Sequence, residues 1–252
     1  GFPTEIISLP SKGVVYPEQN PLHSGQIEMK YMTAREEDIL TSQNLIKQGI
    51  VLDKLMQSMI VSSINFDDLI IGDKNAIMIA ARILGYGKDY IVDITCPECG
   101  KKTRTEIDLT TLESVGVPED ADMVSPGIFK YILPQSKREI NFKIASSGDE
   151  RRITKELELS RKSNKATGGI DPELTTRLKA IIVAVDGNSD KRYINNFVDN
   201  ELFAMDSRSF RTYAKTVNPD QKFETKFICE HCSHEEEALG FTIDTSFFWP
   251  KS

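Results

Sequence analysis

All four cysteines of this chain lie in two Cys-x-x-Cys pairs, which form the strongest chemical signal in the sequence. The pairs are Cys96/Cys99 and Cys229/Cys232, and roughly half of the chain separates them. Two thiolates at this spacing converge on one metal ion, and two such pairs complete the tetrahedral shell that structural zinc prefers. The sequence therefore predicts a structural zinc site with these four ligands. A complete thiolate shell leaves no position for water or substrate.

The spacing alone leaves several arrangements open. In one, both pairs bind a single ion; in another, each pair binds zinc across an interface between two copies of the chain. In a third, His231 or His234 replaces one cysteine, and in a fourth the thiols are free. A thioredoxin-like redox motif is disfavoured because that motif lies at a helix N-terminus. Each pair here follows one β-like run and precedes another.

The segments that lead into the two pairs resemble each other. Asp73 and Asp206 stand the same number of residues before Cys96 and Cys229, and each is expected to cap a helix. Both helices carry an apolar stripe with the spacing of a buried face, and a strand follows each of them. The aligned stripe positions are Ile77/Phe210, Ala80/Tyr213, Ala81/Ala214 and Leu84/Val217. This agreement predicts an internal duplication.

The predicted fold class is α+β, with two homologous halves that each contain helices and a β-hairpin zinc knuckle. We expect an extended N-terminal arm over residues 1–25, a first repeat over 26–118, and a second repeat with an aromatic C-terminus over 119–252. Thr33 and Glu36 have capping-box spacing, which predicts a helix near Ala34. An apolar pattern predicts another helix over 174–185. A segment rich in Lys, Gly, Ser and Asn predicts a mobile loop over 161–172.

Composition narrows the class of protein. The chain has 252 residues, of which 39% are hydrophobic and 27% charged, as expected of a globular protein with room for two domains. No apolar run is long enough for a membrane span. The net charge of −7 disfavours binding to a phosphate backbone. Paired cysteines without a secretion signal predict a reducing cytoplasm.

Other residues with catalytic chemistry are few. His23 lies in a predicted surface turn, and the remaining two histidines lie at the second cysteine pair. The acidic residues around Glu36 and Asp149 fit solvated first turns of helices, where they complement the helix dipole. No phosphate-binding or dinucleotide-binding glycine motif occurs. The sequence therefore offers no case for an enzyme.

An aromatic cluster lies near the end of the chain, where residues 247–250 are Phe-Phe-Trp-Pro. Chain termini usually fray, so three aromatic side chains there need a place to pack. Phe247, Phe248 and Trp249 are expected either to fold back onto the core or to dock into a partner, since aromatic residues supply much of the binding energy at interfaces.

Several segments resemble a family of baseplate proteins from T-even-type contractile-tailed bacteriophages. The resemblance covers the first half closely and the second more loosely. The small tail-assembly chaperones of other phages share a weaker pattern with the first half. The segments are 9–13 (LPSKG), 16–17 (YP), 30–40 (KYMTAREEDIL), 72–76 (GDKNA), 80–87 (AARILGYG) and the closing Phe-Phe-Trp-Pro.

Members of this family are baseplate hub subunits or hub assembly chaperones. The resemblance thus implies a non-enzymatic tail protein that promotes baseplate assembly through contacts with hub, baseplate or tape-measure proteins in the host cytoplasm. A permanent structural subunit of the virion is the first alternative. A nucleic-acid-binding zinc ribbon is the second; Lys101, Lys102 and Arg104 favour it, and the acidic residues 235–237 oppose it.

Overall fold

The first half of the chain forms a β-hairpin, four helices and a second hairpin, in that order. The structure is a computed structural model that describes residues 1–164 and 169–250. The elements of this half are β1 (Thr4–Ser8), β2 (Gln26–Lys30), α1 (Ala34–Leu40), α2 (Gln43–Gln48), α3 (Val51–Met59), α4 (Ile71–Tyr86), β3 (Asp89–Thr95) and β4 (Lys102–Asp108).

The second half begins with short strands and then follows a similar order of hairpin, helices and hairpin. Its elements are β5 (Ser114–Val115), β6 (Met123–Ser125), β7 (Ile128–Ile132), β8 (Glu139–Lys143), α5 (Ser147–Asn164), α6 (Glu173–Ile181), β9 (Ile182–Val185), α7 (Lys191–Asn200), α8 (Ala204–Val217), β10 (Asp220–Gln221), β11 (Glu224–Ile228) and β12 (Glu235–Gly240). The predicted mobile loop over 161–172 overlaps the end of α5, and its residues 165–168 lie outside the described part of the chain.

All strand pairs in the named sheets are antiparallel, and the sheets are small. One sheet has four strands in the order β6-β7-β8-β9. The others are two-stranded: β1 pairs with β2, β3 with β4, β11 with β12, and β5 with β10. Mixed helices and small antiparallel sheets confirm the predicted α+β class.

Two hydrophobic cores hold these elements together, and the second knuckle belongs to the first of them. The second core lies between the four-stranded sheet and α6, α7 and α8, with Phe142 and Phe210 among its buried residues. The first core takes in α3, α4 and β3, and also Phe227, Phe241 and Phe247 from the end of the chain. The predicted repeat boundary at residue 118 does not separate the two cores, because residues 119–252 contribute to both of them.

The expected N-terminal arm over residues 1–25 is also corrected. Thr4–Ser8 is β1, whose five residues pair with β2 from Thr4 opposite Lys30 to Ser8 opposite Gln26. Leu9, Tyr16 and Leu22 in the connecting loop are buried. Their apolar side chains anchor the loop in the first core, so its Pro/Gly pattern marks the turns of a hairpin connection.

Asp73 joins the β1–β2 loop to α4, and Asp206 joins the β7–β8 loop to α8. Asp73 accepts hydrogen bonds from the Ser11 backbone and hydroxyl and from the Tyr16 hydroxyl. Asp206 accepts hydrogen bonds from the backbone N–H groups of Gln135 and Ser136, in the β7–β8 loop. Both aspartates lie in the first turn of their helices and not at the N-cap, so the predicted capping role is corrected.

The first turns of α1 and α5 share another arrangement. Thr33 and Glu36 form the predicted capping box, and Lys30 donates to Glu36. At the start of α5, Ser146 and Asp149 bond reciprocally, and Lys143 donates to Asp149. Glu36 is fully buried and Asp149 is 6% exposed, which corrects the expectation of solvated carboxylates. Each carboxylate is an internal anchor between a strand and a helix.

Glu36 provides a prediction about pH. Burial opposes its ionisation, but hydrogen bonds from Lys30, Thr33 and Ser58 outweigh burial and lower its pKa to about 2. Because the folded-state pKa lies below the unfolded value of about 4.3, its stabilisation is fully present above that value. The stabilisation should therefore fall as the pH drops from about 5 towards 2. Urea unfolding across this range should show the wild-type advantage over Glu36→Gln shrinking; an advantage independent of pH would contradict the assignment.

One predicted helix ends early. Helix α6 ends at Ile181, and Ile182–Val185 form β9, which pairs with β8 in the second core. The helix predicted over 174–185 is therefore wrong for its last four residues. β-Branched residues pack well on a pleated surface, and here the neighbouring strand determines the outcome.

Candidate metal centre

Each Cys-x-x-Cys pair lies in the turn of a β-hairpin. The first turn joins β3 to β4, and the second joins β11 to β12. In the first, the Cys96 N–H donates to the Lys101 carbonyl, 2.8 Å away; in the second, the Cys229 N–H donates to the His234 carbonyl, 2.9 Å away. Two turns of the same shape thus present two thiols each at the tips of rigid hairpins.

Both turns need a residue in the left-handed region, four residues after the first cysteine. Gly100 takes this position in the first turn with φ 73°, and Ser233 takes it in the second with φ 61°. Glycine adopts this conformation without steric cost, whereas a residue with a Cβ atom is strained there by about 1–2 kcal/mol. The second turn is therefore the more strained of the two, because it has serine where the first turn has glycine.

This difference predicts opposite effects for two substitutions. Ser233→Gly should raise the free energy of unfolding by about 0.5–1 kcal/mol because it relieves the strain at positive φ. Gly100→Ala should lower it by about 1 kcal/mol or more, for the same reason. Chemical denaturation of the metal-loaded protein measures both. Destabilisation by Ser233→Gly would contradict the argument from strain.

The four thiols come together in one cluster. The sulfur atoms of Cys96 and Cys232 are 3.7 Å apart, and those of Cys99 and Cys229 are 3.6 Å apart. All four lie within 4.8 Å of one another, and none forms a disulfide. Four sulfurs placed tetrahedrally at ~2.3 Å from a zinc ion are ~3.8 Å apart. The donor set and its spacing therefore fit one tetrahedral thiolate-preferring metal ion.

The cluster is half enclosed by protein. Cys96 and Cys229 are buried, and Cys99 and Cys232 are exposed. The Thr103 hydroxyl donates to the sulfur of Cys229 from 3.7 Å, and the His231 backbone N–H does so from 3.4 Å. Burial opposes ionisation of Cys229, but the backbone N–H groups of Cys232 and His231 outweigh it and lower its thiol pKa to about 6. These contacts favour the thiolate at Cys229. At Cys232 the His234 backbone N–H lowers the thiol pKa, but burial and hydrogen bonds with the other three thiols outweigh it and raise that pKa to about 12.

The histidines of the second turn lie outside the sulfur cluster and form hydrogen bonds with other groups of the protein. The ring of His231 is 3.0 Å from the Lys102 carbonyl, and that of His234 is 2.9 Å from the Glu236 carboxylate. The Glu230 N–H donates to the Thr103 hydroxyl of the other hairpin. The contacts of His231 and Glu230 join the two hairpins directly, whereas that of His234 lies within its own hairpin. A metal would therefore complete a junction that the protein already begins. The sequence did not indicate the role of Thr103.

The C-terminal aromatics pack near the start of β3, and two of the three are buried. Phe247 and Phe248 are 0% and 3% exposed, in the first core. Partner binding through these two side chains is therefore corrected, because they fold back onto the chain's own core. Trp249 remains 36% exposed, and its indole N–H donates to the Leu40 carbonyl.

A buried arginine that the sequence analysis missed supports these aromatics. The Arg82 guanidinium lies over the rings of Phe247, Tyr86 and Tyr90, and donates to the carbonyls of Gly87 and Asp89. A cation within the otherwise apolar run of residues 77–84 was the available signal in the sequence. Arg82 thereby links the end of α4, the start of β3 and the C-terminus.

Comparison with known families gives one match. The family model described as "T4 bacteriophage base plate protein" matches residues 14–249. The match covers nearly the whole chain, and this α+β protein with its cluster of four cysteines belongs to the T4-type baseplate protein family. Searches of curated proteins and of solved structures gave no match. Among the described residues, no helix is long and apolar enough to cross a membrane.

Proposed function

We propose that this chain promotes assembly of the contractile-tail baseplate, at its hub, through protein–protein contacts and without catalysis. The observation that carries the proposal is the baseplate family match across residues 14–249. Its partners would be other baseplate, hub or tape-measure proteins, which it would meet in the host cytoplasm during tail assembly. No nucleic acid or membrane takes part in the proposed function.

The metal in this proposal is a structural zinc ion. Its ligands would be Cys96, Cys99, Cys229 and Cys232, whose sulfurs have the spacing of a single tetrahedral site. Four thiolates fill the zinc shell and leave no position for a reacting water, which supports a structural role. Because all four ligands come from one chain, the site needs no second copy. Zinc would clamp the β3–β4 hairpin to the β11–β12 hairpin.

We also propose that the two halves arose by internal duplication. Three local arrangements recur in the same order along the chain and support this origin. An aspartate in the first turn of a long helix, Asp73 or Asp206, binds a hairpin loop. A strand lysine and a capping hydroxyl hold a buried carboxylate, Glu36 or Asp149. A Cys-x-x-Cys turn closes each half.

The assembly proposal is tested by deleting the coding sequence from a phage that carries it and supplying the chain from a plasmid. The expected result is that infected cells accumulate incomplete baseplates in electron micrographs, and that the plasmid restores complete tails. Normal tails in its absence would overturn the proposal. Mass spectrometry of purified virions separates the two roles: absence of the chain indicates an assembly factor, and a fixed copy number indicates a permanent subunit.

A further inference from the structure

An open groove of about 650 Å³ runs along one face of α8. We call it the α8 groove; its lining includes Tyr131, Met205, Arg208, Ser209, Thr212 and Tyr213. It lies on the second half of the chain, on the side of α8 that faces away from the buried Phe210. The rings of Tyr131 and Tyr213 stack with their centroids 4.8 Å apart and form an apolar floor.

The corresponding face of α4 is covered by a short extended segment of this same chain. Asp73 and Asp206 occupy the same position in their helices, and this sets the register between α4 and α8. On α4, the backbone of Pro219 lies so close to Gly72 that an added Cβ would be 1.8 Å from the Pro219 carbonyl oxygen. Asn75 then donates to the Asp220 carboxylate over 3.0 Å. The occupant of the α4 face is thus an extended segment with an aspartate.

The same positions on α8 face solvent. Met205 corresponds to the buried Gly72 and is 70% exposed. Arg208 corresponds to Asn75, and Thr212 corresponds to the buried Ile79; both are exposed. Met205 and the stacked rings of Tyr131 and Tyr213 line the groove together and form its apolar surface.

The charge on this face indicates which occupant fits. Arg208 is the one cation in the groove's lining, and it takes part in no ion pair with a described residue. The chain as a whole carries a net charge of −7, so an exposed, unpaired cation here is a local exception. An unpaired cation beside an apolar floor is complementary to a carboxylate next to an apolar side chain.

We propose that the α8 groove binds an extended, acidic segment of another baseplate or tail protein. This inference deepens the proposed assembly function and rests on it. The guanidinium of Arg208 pairs with the segment's carboxylate, as Asn75 bonds Asp220 on α4, and Met205, Tyr131 and Tyr213 cover its apolar side chain. A nucleic acid fits less well, because Arg208 is the one cation among the described residues that line the groove and the chain as a whole carries a net charge of −7.

The test uses the purified full-length chain and an array of overlapping peptides that cover the baseplate and tail proteins of the phage. The expected result is that bound peptides contain an aspartate or glutamate beside an apolar residue. Arg208→Glu and Met205→Asp should each weaken binding of those peptides about tenfold or more, since they reverse or insert charge at the contact. The matched control is Lys155→Glu, an exposed charge reversal on α5, which should change binding less than about twofold.

Circular dichroism checks that the variants fold, as expected for substitutions of exposed side chains. The inference is overturned if no peptide binds, if Arg208→Glu binds as tightly as the wild type, or if bound peptides lack acidic residues. Binding of a single-stranded oligonucleotide or self-association through the groove, in place of peptides, would equally overturn it. Complementation separates the two proposals in a phage that fails to assemble tails without the chain. If the Arg208→Glu variant restores full tail assembly there, the proposed binding at the α8 groove is rejected and the proposed assembly function is not.

Discussion

Replacing Cys96 with serine should abolish binding of the proposed zinc ion and lower the free energy of unfolding by about 4–5 kcal/mol or more, because loss of a structural metal is among the largest single-mutation effects. Cys96 is almost fully buried, and its sulfur lies against that of Cys232 on the other hairpin. The serine would leave three thiolates without their fourth partner. Metal analysis of the purified variant and thermal unfolding measure the two effects. Cys232→Ser should give the same result from the opposite hairpin.

Lys101→Ser is the matched control for the cysteine variants. Lys101 lies in the same turn with an exposed side chain, and only its backbone carbonyl takes part in the turn's hydrogen bonds. This variant should keep its metal and unfold within about 0.5 kcal/mol of the wild type. A Cys96→Ser protein that retained both its metal and its thermal midpoint would show that the four sulfurs are neighbours without being ligands.

The cysteine cluster could be predicted from the sequence because its signal is local. A Cys-x-x-Cys turn between two strands fixes the geometry of each thiol pair within a few residues. The contacts that join the two cysteine turns are not local, because the Thr103 hydroxyl and the His231 ring each contact the opposite hairpin. Threonine and histidine at such positions look like ordinary surface residues until the hairpins are brought together.

The second large effect is expected from Phe247→Ala, which should lower the free energy of unfolding by about 3–5 kcal/mol. Phe247 is fully buried, and its ring meets those of Tyr90 and Phe248 edge to face, with centroids 5.0 and 5.1 Å away. Alanine would leave a cavity at the junction of α4, β3 and the C-terminus, and would remove the ring beneath Arg82. Chemical denaturation of the metal-loaded protein provides the measurement.

Phe2→Ala removes the same side chain from an exposed site and serves as the control. Phe2 is 79% exposed, so this variant should unfold within about 0.5 kcal/mol of the wild type. Equal stabilities for the two variants would mean that the C-terminal segment contributes nothing to the core. Loss of partner binding without loss of stability in Phe247→Ala would restore the docking role that the structure argues against.

The places where sequence-based prediction failed share a physical cause, which is pairing between distant segments. Residues 182–185 carry β-branched side chains within a helical pattern, and their pairing with β8 makes them a strand. The loop after β1 contains the signals of an extended arm, and Asp73, far along the chain, binds Ser11 and Tyr16 and holds the loop in place. Neither partner can be inferred from neighbouring residues.

Local signals succeeded where the governing interaction spans one turn. The capping box from Thr33 to Glu36 begins α1 as predicted. Its carboxylate is nevertheless buried, because Lys30 and Ser58 approach it from other elements. The sequence thus indicated the start of the helix but not the environment of its first turn. The same holds for Asp149 at the start of α5.

The central claim is that one chain binds one zinc ion through four thiolates and so clamps its two hairpins together. X-ray absorption spectroscopy at the zinc edge, on protein whose metal content and molar mass have been measured, tests it most directly. The account predicts one zinc per chain with four sulfur neighbours at ~2.3 Å. Half a zinc per chain in a dimer, or nitrogen and oxygen neighbours in place of sulfur, would contradict it.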